Sequence, residues 1–484
     1  MLTLPLTRTE THVVQKRSRS VVPAIRATLW AHGRVVTMND RRDVIDDGAV
    51  AVKNDTIADV GPAREVASRH PGAQVIDCSG RTIIPGLVNT HTHLFQTLLK
   101  GLGDDMVLRD WFAQMTGPSA VQLTYDDVLA AARHGCLESI RSGVTTLVDF
   151  MYVHPRPNLA DAVVQAFRET GIRGVVARGY ITVGEEADVP PALVEPLDGA
   201  LDDAGRLIRE HNTAESRVRV GLAPCMIWTV DERTLIATRQ LADAERAMIT
   251  MHVSETDFEI ENSLRRFGIR DVELLERTGL LGPDLLAVHC VQCDRRDVDI
   301  LSAHGVSVSH NPCSNAYLAS GFAPVPEMIR RGMTVGLATD GPASNNNQNL
   351  IQSMKFAALL QKGAHRDPRI VTAEKVMEMA TIDGARAIGM ADQIGSLEPG
   401  KKADFAVLNL GNAFVTPLHH PVSALVYSAL GSETEAVVID GVTVMKDGDI
   451  LSVDENNVAR SASAAAYSLA ERAGTSRPAR WPLR

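Results

Sequence analysis

Apolar residues in this chain follow two rhythms. Between residues 80 and 345, short β-rich runs alternate with helical patterns. The runs are 82–92, 143–150 ("GVTTLVDF"), 171–179 ("GIRGVVARG"), 217–225 ("RVRVGLAPC"), 248–255 ("MITMHVSE"), 285–290 ("LLAVHC"), 305–311 ("GVSVSHN") and 333–340 ("MTVGLATD"). Most are continuously apolar, which suits strands covered on both faces, as in a parallel sheet. Segments such as 232–246 and 323–331 can supply the crossover helices that parallel pairing needs. Eight such units predict an α/β fold built on a (β/α)8 TIM-like barrel.

The flanks alternate instead. "GRVVTMND" (33–40), "GAVAVKNDTIADVG" (48–61), "KADFAVLNL" (402–410) and "EAVVIDGVTVMKDGD" (435–449) carry turn pairs such as Asp440-Gly441 and Asp447-Gly448. They predict antiparallel hairpins from both chain ends, meeting in one small β-sandwich beside the barrel. The expected division is a loose extension over 1–26, sandwich strands in 27–80, the barrel over 81–395, further sandwich strands in 396–455, and a C-terminal helix with a loose tail over 456–484.

Composition narrows the function classes. With a net charge of −10, a basic face for nucleic acid is not expected. Aromatic residues make up 4% of the chain, too few to build stacking platforms for single strands. No run of 18 apolar residues is present, so no membrane span is expected. Six scattered cysteines argue for reduced thiols and a cytoplasmic setting. The C-x-x-C pair in "HCVQC" (289–293) lacks a second pair, and buried thiols are the favoured reading over a zinc ribbon.

The chemistry gathers at strand ends. His91 and His93 in "PGLVNTHTH" are two apart on a strand and face the same side. Later runs end in His252 and Glu255 ("MHVSET"), His289 ("AVHC"), His310 ("SHNP") and Asp340 ("ATDGPASNN"). A lone strand-end histidine is more often an ordinary hydrogen-bonding residue, and an Asp before Gly is usually a turn. A closed barrel, however, brings all these ends to one mouth. Imidazoles with a carboxylate suit one divalent ion, Zn²⁺ first, with Fe²⁺, Mn²⁺ or Co²⁺ possible.

At these residues the chain resembles the amidohydrolase superfamily, and within it the methylthioadenosine/S-adenosylhomocysteine deaminases and s-triazine hydrolases. The matching stretches are "PGLVNTHTH", "GLGDD" with "LRDWF", "HVSET", "HC", "SHNPCSN", "LASGFAPVP" and "ATDGPASNN". The resemblance implies that His91, His93, His252 and Asp340 bind one metal. It implies that Glu255 passes a proton between the attacking water and a ring nitrogen. His289 would orient the water, and Asp340 would carry the water's proton to the leaving group. Binuclear relatives use a carboxylated lysine from strand four. Residues 201–225 contain no lysine, so one metal is expected.

The substrate-facing positions depart from the nucleoside deaminases. Arg109 stands where they place an acidic residue, with Asp110 next to it. Cys225 stands where they place a purine-contacting histidine. Arg178 matches an arginine that holds the homocysteine carboxylate in some relatives. Trp111, Phe112, Phe95, Tyr152 and Trp228 fall on segments expected at the mouth and suit a flat heteroaromatic ring.

The leading expectation is a metal-dependent aminohydrolase of a small heterocyclic substrate, adenosine-like first. The s-triazine hydrolases (hydroxyatrazine amino- or chlorohydrolase type) and other purine or pterin deaminases are the alternatives. An inert metal-binding scaffold is the rival of a different class. The resemblance also implies a homodimer or homotetramer.

Overall fold

The computed structural model describes residues 1, 27–185, 188–213, 215–477 and 481. Of the extension expected to be loose over 1–26, residues 2–26 lie outside the described residues, as do most of the last seven residues.

Strands β1 (Thr28–Val36), β2 (Val44–Lys53), β3 (Thr56–Pro62), β4 (Gln74–Asp77) and β5 (Thr82–Pro85) open the chain. The next eight are β6 (Leu87–Thr92), β7 (Val144–Met151), β8 (Arg173–Tyr180), β9 (Val218–Pro224), β10 (Ile249–Val253), β11 (Leu285–His289), β12 (Ser307–His310) and β13 (Val335–Leu337). They pair in sequence order, all parallel. The first and last meet where the Asp340 N–H donates to the His91 carbonyl at 3.1 Å and the Thr90 hydroxyl donates to the Leu337 carbonyl. The eight expected apolar runs are thus the eight strands of a nearly closed barrel. They read as unbroken apolar stretches because the barrel interior and the outer helices cover both faces. One of those helices, Glu232–Glu245, starts where Asp231 accepts the Thr234 N–H at 2.8 Å, an N-cap that fixes the turn entering it.

Strands β14 (Phe405–Leu408), β15 (Thr434–Ile439), β16 (Val442–Lys446) and β17 (Asp449–Ile450) return to the first five. All nine form one mixed sheet, with β14 beside β5 joining the two chain ends. The expected sandwich is therefore a single hydrogen-bonded sheet around a small core. Trp30 and Phe405, from opposite ends of the chain, meet edge-to-face in that core at 5.3 Å.

One strand reading needs correction. The run 82–92 is two strands in two sheets, with β5 pairing β1 and β14 while β6 pairs β7. The chain changes sheets at Gly86, where a Cβ would sit 2.0 Å from Thr145 Oγ1. The two sheets are also tied by Arg173 at the start of β8. Its guanidinium, 2% exposed, donates to Asp404 at 2.6 and 3.1 Å and to Asp440.

Helix Glu455–Ala473 closes the chain and is tied to the barrel helix Tyr125–Arg141 by Arg472–Asp127 at 2.6 Å. No helix among the described residues is long and apolar enough to cross a membrane. All six cysteines are free and buried.

Candidate metal centre and active site

The C-terminal ends of the barrel strands converge as a parallel barrel requires. His93 Nε2 lies 3.2 Å from His91 Nε2 and 3.2 Å from His252 Nε2. Asp340 Oδ1 lies 3.4 Å from the Nε2 of both His91 and His93. All four side chains are buried.

Hydrogen bonds behind the rings decide what these nitrogens can do. His93 Nδ1 is 2.7 Å from the Phe150 carbonyl, and His252 Nδ1 is 2.8 Å from the Cys225 carbonyl. A carbonyl only accepts, so each ring carries its proton on Nδ1 and keeps a lone pair on Nε2. Burial pushes His93 down to about 3, His91 to about 4, and His252 well below the ordinary range. The rings are therefore neutral near pH 7, yet the buried His93 and His252 lone pairs face each other at 3.2 Å. That arrangement is repulsive unless a cation lies between them. Nitrogens about 2.0–2.1 Å from one ion and 3.2 Å apart subtend about 100° at it, close to tetrahedral. The donor set fits a divalent metal.

Burial works to raise the Asp340 carboxyl, but the His91 hydrogen bond and electrostatic interaction with the surrounding imidazoles hold it well below the usual range. Glu255 shifts the other way. Burial lifts it, with Asp340 adding to the rise, against His289 and the Ser320 hydroxyl that donates to Oε1 at 3.1 Å. Two buried carboxyls with opposite shifts suit one as proton acceptor and the other as donor. His289 Nε2 stands between them, 3.5 Å from Glu255 Oε2 and 3.9 Å from Asp340 Oδ2, while its Nδ1 is held by Asn315 Oδ1 at 2.8 Å.

The loop after β10 is braced from behind. Asp271 accepts from the Ser254 N–H and hydroxyl, and Glu259 accepts from the Glu255 N–H at 2.6 Å. Ser254, His289, Cys290 and Asp340 all adopt left-handed φ, between 49° and 72°. Strained non-glycine backbone of this kind persists only where the surroundings over-determine it.

Above the ring nitrogens lies a cavity that opens to solvent and is lined by both ionisable and apolar side chains. Of the residues singled out in the sequence, His93, Trp111, Phe112, Tyr152, Cys225, Trp228, His252, Glu255, His289 and Asp340 line it. His91 lies beneath them. The Trp111 indole is fixed by its N–H to the Ala343 carbonyl at 3.0 Å, and burial pushes the Cys225 thiol up. Phe95 is buried behind the site, edge-to-face with Tyr152. His310 is buried away from the cavity, with both ring nitrogens unpartnered.

Two expected substrate contacts are not at the cavity. Arg178 is buried, with its guanidinium held by Glu195 at 2.7 and 2.8 Å and by Asp203 at 3.0 Å. Arg109 turns outward to Asp188 at 3.3 Å and lies over the Phe258 ring. The sequence placed both by motif register alone, and register does not tell which side of a segment faces the cavity.

Gln96, Leu108, Ile181, Met226, Thr229, Leu318 and Ser344 also line the cavity and were not anticipated. Nor were the supports Asn315 and Ser320, although both lie inside the quoted stretches "SHNPCSN" and "LASGFAPVP".

The amidohydrolase family profile matches residues 82–444, and an imidazolonepropionase-like composite domain of bacteria matches residues 48–73. The chain belongs to the amidohydrolase family and is a hydrolase. It is 41% identical to a 5'-deoxyadenosine deaminase of Methanothermobacter thermautotrophicus, over 87% of this chain and 95% of that protein. It is 39% identical to a 5-methylthioadenosine/S-adenosylhomocysteine deaminase of Syntrophobacter fumaroxidans, over 89% and 95%. A zinc-bound adenosine deaminase from Xanthomonas campestris superposes with a TM-score of 0.86 at 30% identity, covering 93% of this chain and 99% of that one. An atrazine chlorohydrolase from Arthrobacter aurescens, complexed with zinc, gives 0.86 at 26% identity, covering 91% and 100%.

Proposed function

We propose that this enzyme removes the exocyclic amine of an adenosine-type nucleoside by hydrolysis. The observation that carries the reading is the pairing, at one cavity, of a donor set that could hold a cation with two buried carboxyls, Glu255 and Asp340, set 3.5 and 3.9 Å from the same His289 nitrogen. The adenosine-type substrate is supported by the deaminase relatives.

His91, His93, His252 and Asp340 would hold one divalent cation, with zinc favoured by the zinc-bound neighbours. Such a cation lowers the pKa of water from ~15.7 towards ~7 and so makes a nucleophile available at neutral pH. The chain's own groups move the protons. His289 Nε2 orients the water beneath the ring. As the water oxygen bonds to the amine-bearing carbon, Asp340 accepts the water's proton and Glu255 gives its proton to the adjacent ring nitrogen. Asp340 then protonates the amine, the C–N bond breaks, and ammonia leaves. Glu255 takes the proton of the new hydroxyl, leaving a ring carbonyl and the enzyme as it began. Trp111, Phe112 and Trp228 would flank the flat ring.

The test is ammonia release from a panel of adenosines, guanines, pterins and triazines with zinc-loaded protein. Turnover of adenosines supports the reading. Release of amine or chloride from triazines, with no adenosine turnover, would replace it with the second reading, which the chlorohydrolase likeness favours.

A further inference from the structure

The cavity wall carries information about the far end of the substrate. Its ionisable residues, His93, His252, Glu255, His289 and Asp340, belong to the reacting end, apart from the buried Cys225 and Tyr152. Much of the rest is apolar: Leu108, Trp111, Phe112, Ile181, Met226 and Leu318. Among the described residues that line it there is neither lysine nor arginine.

The nearby guanidiniums are committed elsewhere. Arg178 has all three nitrogens engaged, by Glu195, Asp203 and the Gly179 carbonyl. Arg109 pairs with Asp188 on the outside. Arg266 lines a separate groove beyond Trp228 and donates to the Ile227 and Val230 carbonyls at 2.8 and 3.1 Å.

We infer that this site selects adenosines whose 5' substituent is small and uncharged, and discriminates against those carrying an amino-acid tail. The inference rests on the deaminase reading above. A tail carboxylate entering this wall loses its water and gains no cation, which is costly. A methyl or methylthio group is buried against apolar side chains and gains from it.

The experiment measures kcat/KM by ammonia release for 5'-deoxyadenosine, methylthioadenosine and S-adenosylhomocysteine on the zinc-loaded full chain. The first two should agree within ~10-fold, and the third should fall ~100-fold or more below them, as expected where a polar group meets no partner. Arg109→Ala should leave the ratio between methylthioadenosine and S-adenosylhomocysteine within about twofold of its original value. Equal or better turnover of S-adenosylhomocysteine overturns the inference and leaves the deaminase reading standing. So does a selective loss of its turnover in Arg109→Ala, which would mean that Arg109 swings in to bind the tail. Turnover of none of the three removes the deaminase reading, and the inference with it.

Discussion

Replacing Glu255 with Gln isolates the proton-transfer step from the rest of the site. The amide has nearly the volume of the carboxyl, and its oxygen can still accept the Ser320 hydroxyl, now 3.1 Å from Oε1. Glu255 is 2% exposed, so bulk water cannot take over the transfer. Loss of a positioned proton-transfer group costs ~10²–10⁴-fold, or about 2.7–5.5 kcal/mol on the barrier. Glu255 also adds to the upward push on the neighbouring Glu259 carboxyl. In the mechanism Glu255 starts protonated, so the neutral amide leaves that balance nearly unchanged and folding stability should hold. Glu255 is outside the proposed donor set, so metal content should not change. The assay is kcat by ammonia release, with metal content and urea unfolding measured on the same preparation. A metal-loaded, folded Glu255→Gln enzyme within ~3-fold of the original kcat would refute the assigned role.

Three further outcomes follow from the same structure. Glu259→Ala should lower kcat with little change in KM, Glu259→Gln should recover much of the loss by keeping an acceptor for the Glu255 N–H, and neither should cost more in a Glu255→Gln background; additive losses would mean that Glu259 acts elsewhere. Arg173→Met strands the buried Asp404 carboxylate and should destabilise the chain by ~3–5 kcal/mol in denaturant unfolding, and a loss under ~1 would mean the barrel-to-sheet joint is held by other contacts. Burial raises the Asp149 carboxyl from 3.8 to about 7, so between those values the folded chain binds a proton that the unfolded chain has lost. Stability should therefore fall as pH rises through that window, with a slope on the order of 1.4 kcal/mol per pH unit from this group. Asp149→Asn should flatten the slope, and an unchanged slope would show that Asp149 is ionised in the fold.

The barrel was legible because a doubly covered strand has a simple signature, a short apolar run, and eight of these recur with helical spacers. The proposed metal donors were legible for a related reason. Strand ends converge in a parallel barrel, so polar residues at five ends read as one site before any distance is known. The sheet change at Gly86 was not legible, because apolar residues on either side look alike whichever sheet they join. Nor were the orientations of Arg178 and Arg109. The partners that turn them away, Glu195, Asp203 and Asp188, lie in other segments, and only folding brings them near. Asn315 and Ser320 escaped for the opposite reason. They sit inside recognised stretches, but their work is to hold His289 and Glu255 rather than to react.

Metal content measured alongside turnover tests the central claim most directly. Purified protein should carry about one divalent ion per chain, as a mononuclear His/Asp site requires. His252→Ala should lose both the ion and ammonia release while remaining folded by circular dichroism. Full turnover by metal-free protein, or by His252→Ala, would contradict the account.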